Sequence, residues 1–197
     1  EVSTGFYNHE IEKSARFNDS STHHLDKTPS SSGDSLTTWS WSAWIKRGDF
    51  GSFNTLWSAN SNSNQIGLSS DRMYFEYFDG TNNNFIVGTK KLRDVSAWYH
   101  LLFVWDTSNA TTADRMRMYC NSERITEFAS SSLPTQNRAS IFNTAVKHEI
   151  ARRVNPDGVN YDGYLTEINF IDGQALDPDS FGEDKEGVWI PKDTSGL

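Results

Sequence analysis

The sequence predicts an all-β fold, a two-sheet antiparallel β-sandwich of the jelly-roll type. Three observations predict it. Apolar and polar residues alternate with a period of two in segment after segment, while helical periodicity is almost absent. Roughly a dozen such segments recur at spacings of 8–12 residues, separated by turn formers. The chain also carries 25 Ser, 16 Thr and 16 Asn, small polar residues that favour turns and strand edges over helix interiors. Its 7 Trp, 7 Tyr and 12 Phe offset a modest apolar content of 36%.

Taken in order, the clearest strand is Thr38 to Lys46, with Trp39, Trp41, Ala43 and Ile45 on the core face. Its other face holds Ser40, Ser42, Trp44 and Lys46, as expected of a sheet face that is only partly covered. A turn at 47–52 leads to a strand over Phe53 to Ser58, and the Asn-rich run 60–64 to strands over Gln65 to Leu68 and Arg72 to Phe78. Asp79-Gly80 is a hairpin signal, and Phe85-Ile86-Val87 is the returning strand. Ala97 to Asp106 is apolar on both faces, which predicts a central strand buried on both sides. Arg115 to Cys120 alternates with Met116, Met118 and Cys120 inward, and a tight turn at 121–123 follows. Ser130 to Pro134 reads as a surface loop, Ala145 to Arg152 as a strand and Asn155 to Gly158 as a turn. Tyr161 to Ile171 is a long strand, Ala175 to Phe181 a short helix or 3₁₀ turn, and Gly187 to Lys192 a closing edge segment in which Pro191 needs no ladder N–H.

No composition shift divides the 197 residues and no repeat of fixed period appears, so 1–197 is expected to be one domain. Within it, 1–12 is a lead-in and 182–197 a closing segment. The net charge of −8 and pI near 5.0 argue against a polyphosphate partner or an anionic lipid surface, so neither nucleic acid nor membrane is an expected partner. No apolar run approaches the roughly 20 residues that span a bilayer, which predicts no membrane insertion. Cys120 is the one cysteine and cannot form an internal disulfide. The start at Glu1-Val2-Ser3 has neither initiator Met nor signal peptide, the expectation for a fragment or a processed form.

Three ordered blocks carry a family likeness. Leu36 to Lys46 (LTTWSWSAWIK), Trp98 to Asp106 (WYHLLFVWD) with Arg117 to Glu123 after it, and Asp162 to Leu176 (DGYLTEINFIDGQAL) resemble the early, middle and closing strands of laminin-G-like, concanavalin A-like jelly rolls. A narrower likeness lies in Ser14 to Asn18, Trp44 to Gly48, Asp162 to Gly182 and Gly187 to Lys192. These segments are similar to a version of the domain frequent in bacteriophage virion proteins, particularly of marine phages. That resemblance implies a binding module on a virion surface or otherwise outside a cell, with a host-surface glycan or other virion proteins as partner, and a homotrimer as one assembly open to it. Tail fibre and capsid are both compatible locations.

Candidate chemistry divides unevenly. Glycosidases of concanavalin A-like fold carry two carboxylates on alternate positions of one strand. Glu76 has no acidic residue two positions away and Glu167 has Asn169 there, so the chain is expected not to be an enzyme, with glycoside hydrolysis a distant alternative. The inward phase of Cys120 predicts a small buried hydrophobe, and His100 reads as a sandwich residue rather than a base. No cofactor is certain. Many relatives in the resembled family bind Ca²⁺ on edge loops, and the candidate ligands here are Asp79 with Asn82, and Asp106 with Asn109 and Asp114, unless these residues simply cap their own turns. For a sugar, a site needs exposed rings beside groups that both donate and accept hydrogen bonds. Tyr77, Phe78, Asp79, Asn82, Asn83 and Asn84 supply both, with Trp57 a second anchor; the competing reading has the rings closing the sandwich edge. Lectin-like, non-catalytic glycan recognition in phage attachment is therefore the expected function. The alternative is a structural role in capsid decoration or tail-fibre assembly, where exposed aromatics would form a protein interface.

Overall fold

The computed structural model describes residues 6–7, 9–21, 23–50, 53–60, 63–154 and 159–197. Among these the strands are β1 (Ala15–Phe17), β2 (Leu25–Lys27), β3 (Thr38–Arg47), β4 (Phe53–Ala59), β5 (Gln65–Ser69), β6 (Arg72–Phe78), β7 (Asn83–Lys91) and β8 (Tyr99–Asp106). They continue with β9 (Met116–Cys120), β10 (Glu123–Arg124), β11 (Phe128–Ser132), β12 (His148–Ile150), β13 (Gly163–Asp172), β14 (Gly182–Lys185) and β15 (Val188–Pro191). A six-stranded sheet runs β1-β13-β3-β8-β9-β10 and a seven-stranded sheet runs β11-β7-β6-β5-β4-β12-β2. The registered pairs are antiparallel, and β14 and β15 form a separate hairpin. This is the predicted all-β sandwich. No helix among the described residues is long and apolar enough to cross a membrane.

Alternation builds the core. Trp39, Trp41, Ala43 and Ile45 of β3 and Leu101, Phe103 and Trp105 of β8 face Ile66, Leu68, Met73, Phe75 and Ile86 of the other sheet, all at 2% exposure or less. Trp39 is the hub, with its ring 5.6 Å from Trp57, 5.6 Å from Phe75 and 5.2 Å from Phe142. Such ring pairs add to the burial of their large apolar areas. At one end of the sandwich the buried guanidinium of Arg47 ties β3 to the second sheet. It donates to the Leu92 carbonyl, to Asn54 Oδ1 at 3.3 Å and to Asp71 Oδ1 at 3.1 Å. Burial pushes the Asp71 carboxyl up, but hydrogen bonds from Arg93 and Arg47 outweigh it and hold the group below its ordinary value.

The six-stranded sheet has a third layer on its outer side. Residues 173–191 cross it, and Phe181 packs on Leu102, Val104 and Tyr119 with Ile171, Ala175 and Leu176 beside it. Ser40 Oγ donates to the Gln174 carbonyl at 2.7 Å and accepts the Leu176 N–H at 2.8 Å, which fastens the cover to β3. The double-sided apolarity of β8 thus comes from the core on one face and this cover on the other. Trp44, expected on a partly covered face, is buried.

Other expectations shift at element edges. Ser130 to Ser132 belong to an edge strand, β11, that pairs with β7 through a bulge, and not to a loop. The predicted strand over 145–152 is regular only at His148–Ile150, and β1, β2 and β10 are short pairings that the alternation does not announce. A 3₁₀ turn at Pro178–Ser180 lies inside the predicted 175–181. The predicted turn at 155–158, with residues 51–52 and 61–62 of two others, lies outside the described residues.

Candidate functional site

Strand β6 decides which residues of the second sheet can meet a ligand. Met73, Phe75 and Tyr77 point into the core, so Arg72, Tyr74, Glu76 and Phe78 take the opposite face and remain half-buried. Beside them β5 presents Gln65 and Gly67, β4 presents Thr55, and β7 presents Asn83. Gly67 sits between Thr55 and Tyr74, where a Cβ would come 2.1 Å from the Asn54 carbonyl oxygen, so the close approach of β4 requires glycine there. One border is set by residues 152–154, because Ser58 Oγ donates to the Arg152 carbonyl at 2.8 Å and accepts the Val154 N–H at 2.9 Å.

Glu76 is the centre of a hydrogen-bond chain on this face. Its carboxylate accepts from the Tyr74 hydroxyl, from Gln65 Nε2 at 3.3 Å and from Asn83 Nδ2 at 3.0 Å. Gln65 Oε1 in turn accepts from Thr55 Oγ1 at 3.1 Å. Burial, and then the hydrogen bond to Glu76 and its charge, push the Tyr74 phenol up, so it stays a neutral donor. Phe53, 41% exposed, meets the Tyr74 ring edge-on at 5.9 Å. The face therefore combines an apolar platform with an oriented row of donors and acceptors. No second carboxylate joins this network among the described residues, so the acid pair of a retaining glycosidase is not assembled around Glu76.

The residues named from sequence fall in three groups. Trp57 is 6% exposed in the core, near-parallel to Trp41 and His148, and has no free ring face for a sugar. Its turn inward has a local cause: a bulge between Thr55 and Trp57 breaks the alternation of β4. Tyr77 is likewise a core ring, 5.0 Å from Trp105, and its hydroxyl donates to the Ala139 carbonyl at 2.8 Å. Asn84 has the inward phase of β7 and is buried. These three are corrected from ligand contacts to structural residues. Phe78, Asp79, Asn82 and Asn83 lie at the β6–β7 hairpin, beside a shallow depression bordered by Ser140 and Ile141. The Asp79 carboxylate closes the turn by accepting the N–H groups of Asn82 (2.7 Å) and Thr81 (2.9 Å) and pairs with Arg138. Those backbone bonds foremost hold it down to about 2. Asn82 and Asn83 stay exposed, and Asn83 links the hairpin to Glu76.

The calcium expectation meets a different obstacle. Asp106 accepts from Ser108 Oγ at 2.8 Å and pairs with Arg117 at 3.4 Å, and Asp114 pairs with Arg124 at 2.7 Å. The loop carbonyls of Asn109 and Ala110 are taken by Arg115 at 3.0 Å each. Guanidinium groups already neutralise these acids, so Asp106, Asn109 and Asp114 do not fit a Ca²⁺ site that needs several free anionic oxygens. No cluster of three or more His, Cys, Asp or Glu able to hold a metal occurs among the described residues. Cys120 is buried, and burial pushes its thiol up to about 11, far from a reactive thiolate.

Sequence and fold comparisons agree with this architecture. Residues 19–180 match the family profile Laminin_G_3, described as the concanavalin A-like lectin/glucanases superfamily. No curated protein matches the chain in sequence. Among solved structures it is similar to domains LG4-5 of the mouse laminin alpha1 chain, with a TM-score of 0.58 and 15% identity. That match covers 86% of this chain but 44% of the laminin chain, so the protein spans less than half of that relative's length. It is also similar to CBM40 of the Ruminococcus gnavus IT-sialidase, bound to alpha2,3 sialyllactose, with a TM-score of 0.55, 12% identity and coverage of 74% and 81%. A third is the binding domain of botulinum neurotoxin DC in complex with rat synaptotagmin II, at a TM-score of 0.51, 14% identity and coverage of 80% and 40%. At such identities the likeness is one of fold.

Proposed function

The chain belongs to the concanavalin A-like lectin/glucanases superfamily, and on that premise we propose that it is a non-catalytic module that binds a glycan on the outer face of its seven-stranded sheet. The observation that carries this reading is the Phe53–Tyr74 ring pair standing beside the Thr55–Gln65–Glu76–Asn83 row. A sugar offers an apolar ring face and a rim of hydroxyls, each both donor and acceptor, and this face presents the complement of both. The fold is shared with a CBM40 solved with alpha2,3 sialyllactose, which makes sialylated glycans the first to try. The setting we propose is a virion surface during host attachment, supported by the likeness of Asp162 to Gly182 to phage virion domains.

A glycan array probed with the wild-type chain tests the reading. Retention of one or more glycans, weakened about tenfold or more in Phe53→Ala and in Asn83→Ala, is the expected result. An array with no retained glycan, or retention indifferent to both substitutions, would contradict it.

A further inference from the structure

The arginines of the chain divide into two kinds. Eight of the ten form a hydrogen bond or an ion pair that neutralises or fixes the guanidinium. Arg72 and Arg153 form neither among the described residues, in a chain that carries 26 acids. Both are half-buried, with Nε out of contact with solvent. Packing thus holds their stems while their charge stays unpaired.

Both belong to the face that carries the proposed glycan site. Arg72 has the outward phase of β6, two residues before Tyr74, and its row across the sheet runs through Ser69 to the exposed ring of Phe53. Arg153 lies in the segment that Ser58 pins over the same face by its bonds to the Arg152 carbonyl and the Val154 N–H. Burial foremost raises the pKa of the Tyr74 phenol, and the Arg153 charge is among the influences that oppose it, so that guanidinium stands within electrostatic reach of the hydroxyl. The neighbouring acids are engaged. Glu76 accepts from Tyr74, Gln65 and Asn83, Glu149 pairs with Lys147 at 2.6 Å, and Asp71 is held by Arg47 and Arg93. Lys91, exposed opposite Arg72 on β7, adds charge of the same sign.

We propose, resting on the glycan reading above, that the ligand of this face is an acidic glycan whose anionic substituent, a carboxylate or a sulfate ester, is met by Arg72 and Arg153. A guanidinium presents paired N–H donors that match two oxygens of either group. A half-buried cation without a partner is a cost to the folded chain, and a bound anion offsets it. The charge also orients the ligand. The anionic substituent lies at the Arg72 end beside Phe53, and the Glu76 end, which repels an anion, takes neutral hydroxyls.

A glycan array of matched neutral, carboxylated and sulfated members, probed with the full chain, tests the assignment. Acidic members should be retained about tenfold or more above their neutral counterparts, and the carboxylated and sulfated sets show which anion is preferred. Arg72→Gln and Arg153→Gln should each weaken acidic retention about tenfold and leave neutral retention unchanged. Arg72→Lys and Arg153→Lys keep the charge without the fork and should recover part of the loss. Lys192→Gln, the same change of charge on the cover of the other sheet, should have no effect. The melting temperature of both glutamine variants should be unchanged or higher, because no internal bond is lost. A lowered melting temperature with acidic preference intact would make the two arginines structural and overturn the proposal. Equal retention of neutral and acidic members, still weakened by Phe53→Ala and Asn83→Ala, would overturn the acidic ligand and leave the glycan face standing. An array with no retained member would overturn both.

Discussion

On the six-stranded sheet, His100, Leu102 and Val104 point outward from β8 into a cover made by residues 173–191, and all three are fully buried. On the seven-stranded sheet, Tyr74, Glu76 and Phe78 hold the same outward phase of β6 and remain half-exposed. The two strands alternate alike, and a distant segment decides the difference. Where the cover lands, the outer face is apolar and sealed, with the His100 ring fixed between Ser42 and Trp189. Where it does not, the outer face is a polar network flanked by rings. Stability is thus concentrated on one outer face, and the proposed glycan site lies on the other.

The largest effect should come from removing the seal. Phe181 is 2% exposed against Leu102, Val104 and Tyr119, so Phe181→Ala should cost about 3–5 kcal/mol in urea unfolding. A cost no greater than that of a surface substitution would mean that the cover is not an integral layer.

The next effect is a pH dependence seated on the same face. The Trp189 indole can only donate, so His100 Nδ1 accepts from it and Nε2 carries the proton toward Ser42 Oγ at 2.8 Å. Burial pushes the His100 pKa down to about 4 from 6.5. Between those values the unfolded chain binds the extra proton, so stability is intact above about pH 6.5, falls as pH drops and levels off below about pH 4. The loss is of order 3 kcal/mol at most. His100→Gln should remove that part of the slope, read from unfolding free energy against pH. A slope unchanged by the substitution would place the titration elsewhere, for instance at His148, whose pKa burial also lowers.

The open face should behave oppositely. Phe53→Ala should change stability by no more than about 0.5 kcal/mol while it weakens glycan retention, because the ring is exposed and its neighbours keep their bonds. A large loss of stability would turn this face into a structural one. Smallest of all, Ca²⁺ against chelator should leave the melting temperature unmoved, since Arg117, Arg124 and Arg115 hold the oxygens that the ion would need. A clear rise in melting temperature would restore the calcium site.

Much of the fold was legible because a period of two is a strong local signal that β3, β6 and β9 follow, while β8 announces itself as an apolar run buried on both faces. The same signal in Arg72 to Phe78 pairs Tyr74 with Glu76 on the outer face and sends Tyr77 inward. That phase could have redirected the search from the hairpin tip to the middle of the strand. Trp57 was not legible in this way, because a bulge has no consistent mark in residue type and it reverses the face of each residue beyond it. The cover was hidden for another reason. Phe181 and Trp189 lie in a stretch whose local pattern says only turn and edge, and their partners are 79 and 89 residues earlier in the chain at Leu102 and His100. The calcium reading failed on side-chain pairing, since the arginines that neutralise Asp106 and Asp114 are visible in the sequence but their reach is not.

The most direct test is an amide and side-chain NMR map of the chain with a glycan retained on the array. The account predicts shifts concentrated on Phe53, Thr55, Gln65, Tyr74, Glu76 and Asn83, with Phe181 and Trp189 silent. Shifts centred on the β14–β15 hairpin, with the outer face of the seven-stranded sheet unperturbed, would contradict it.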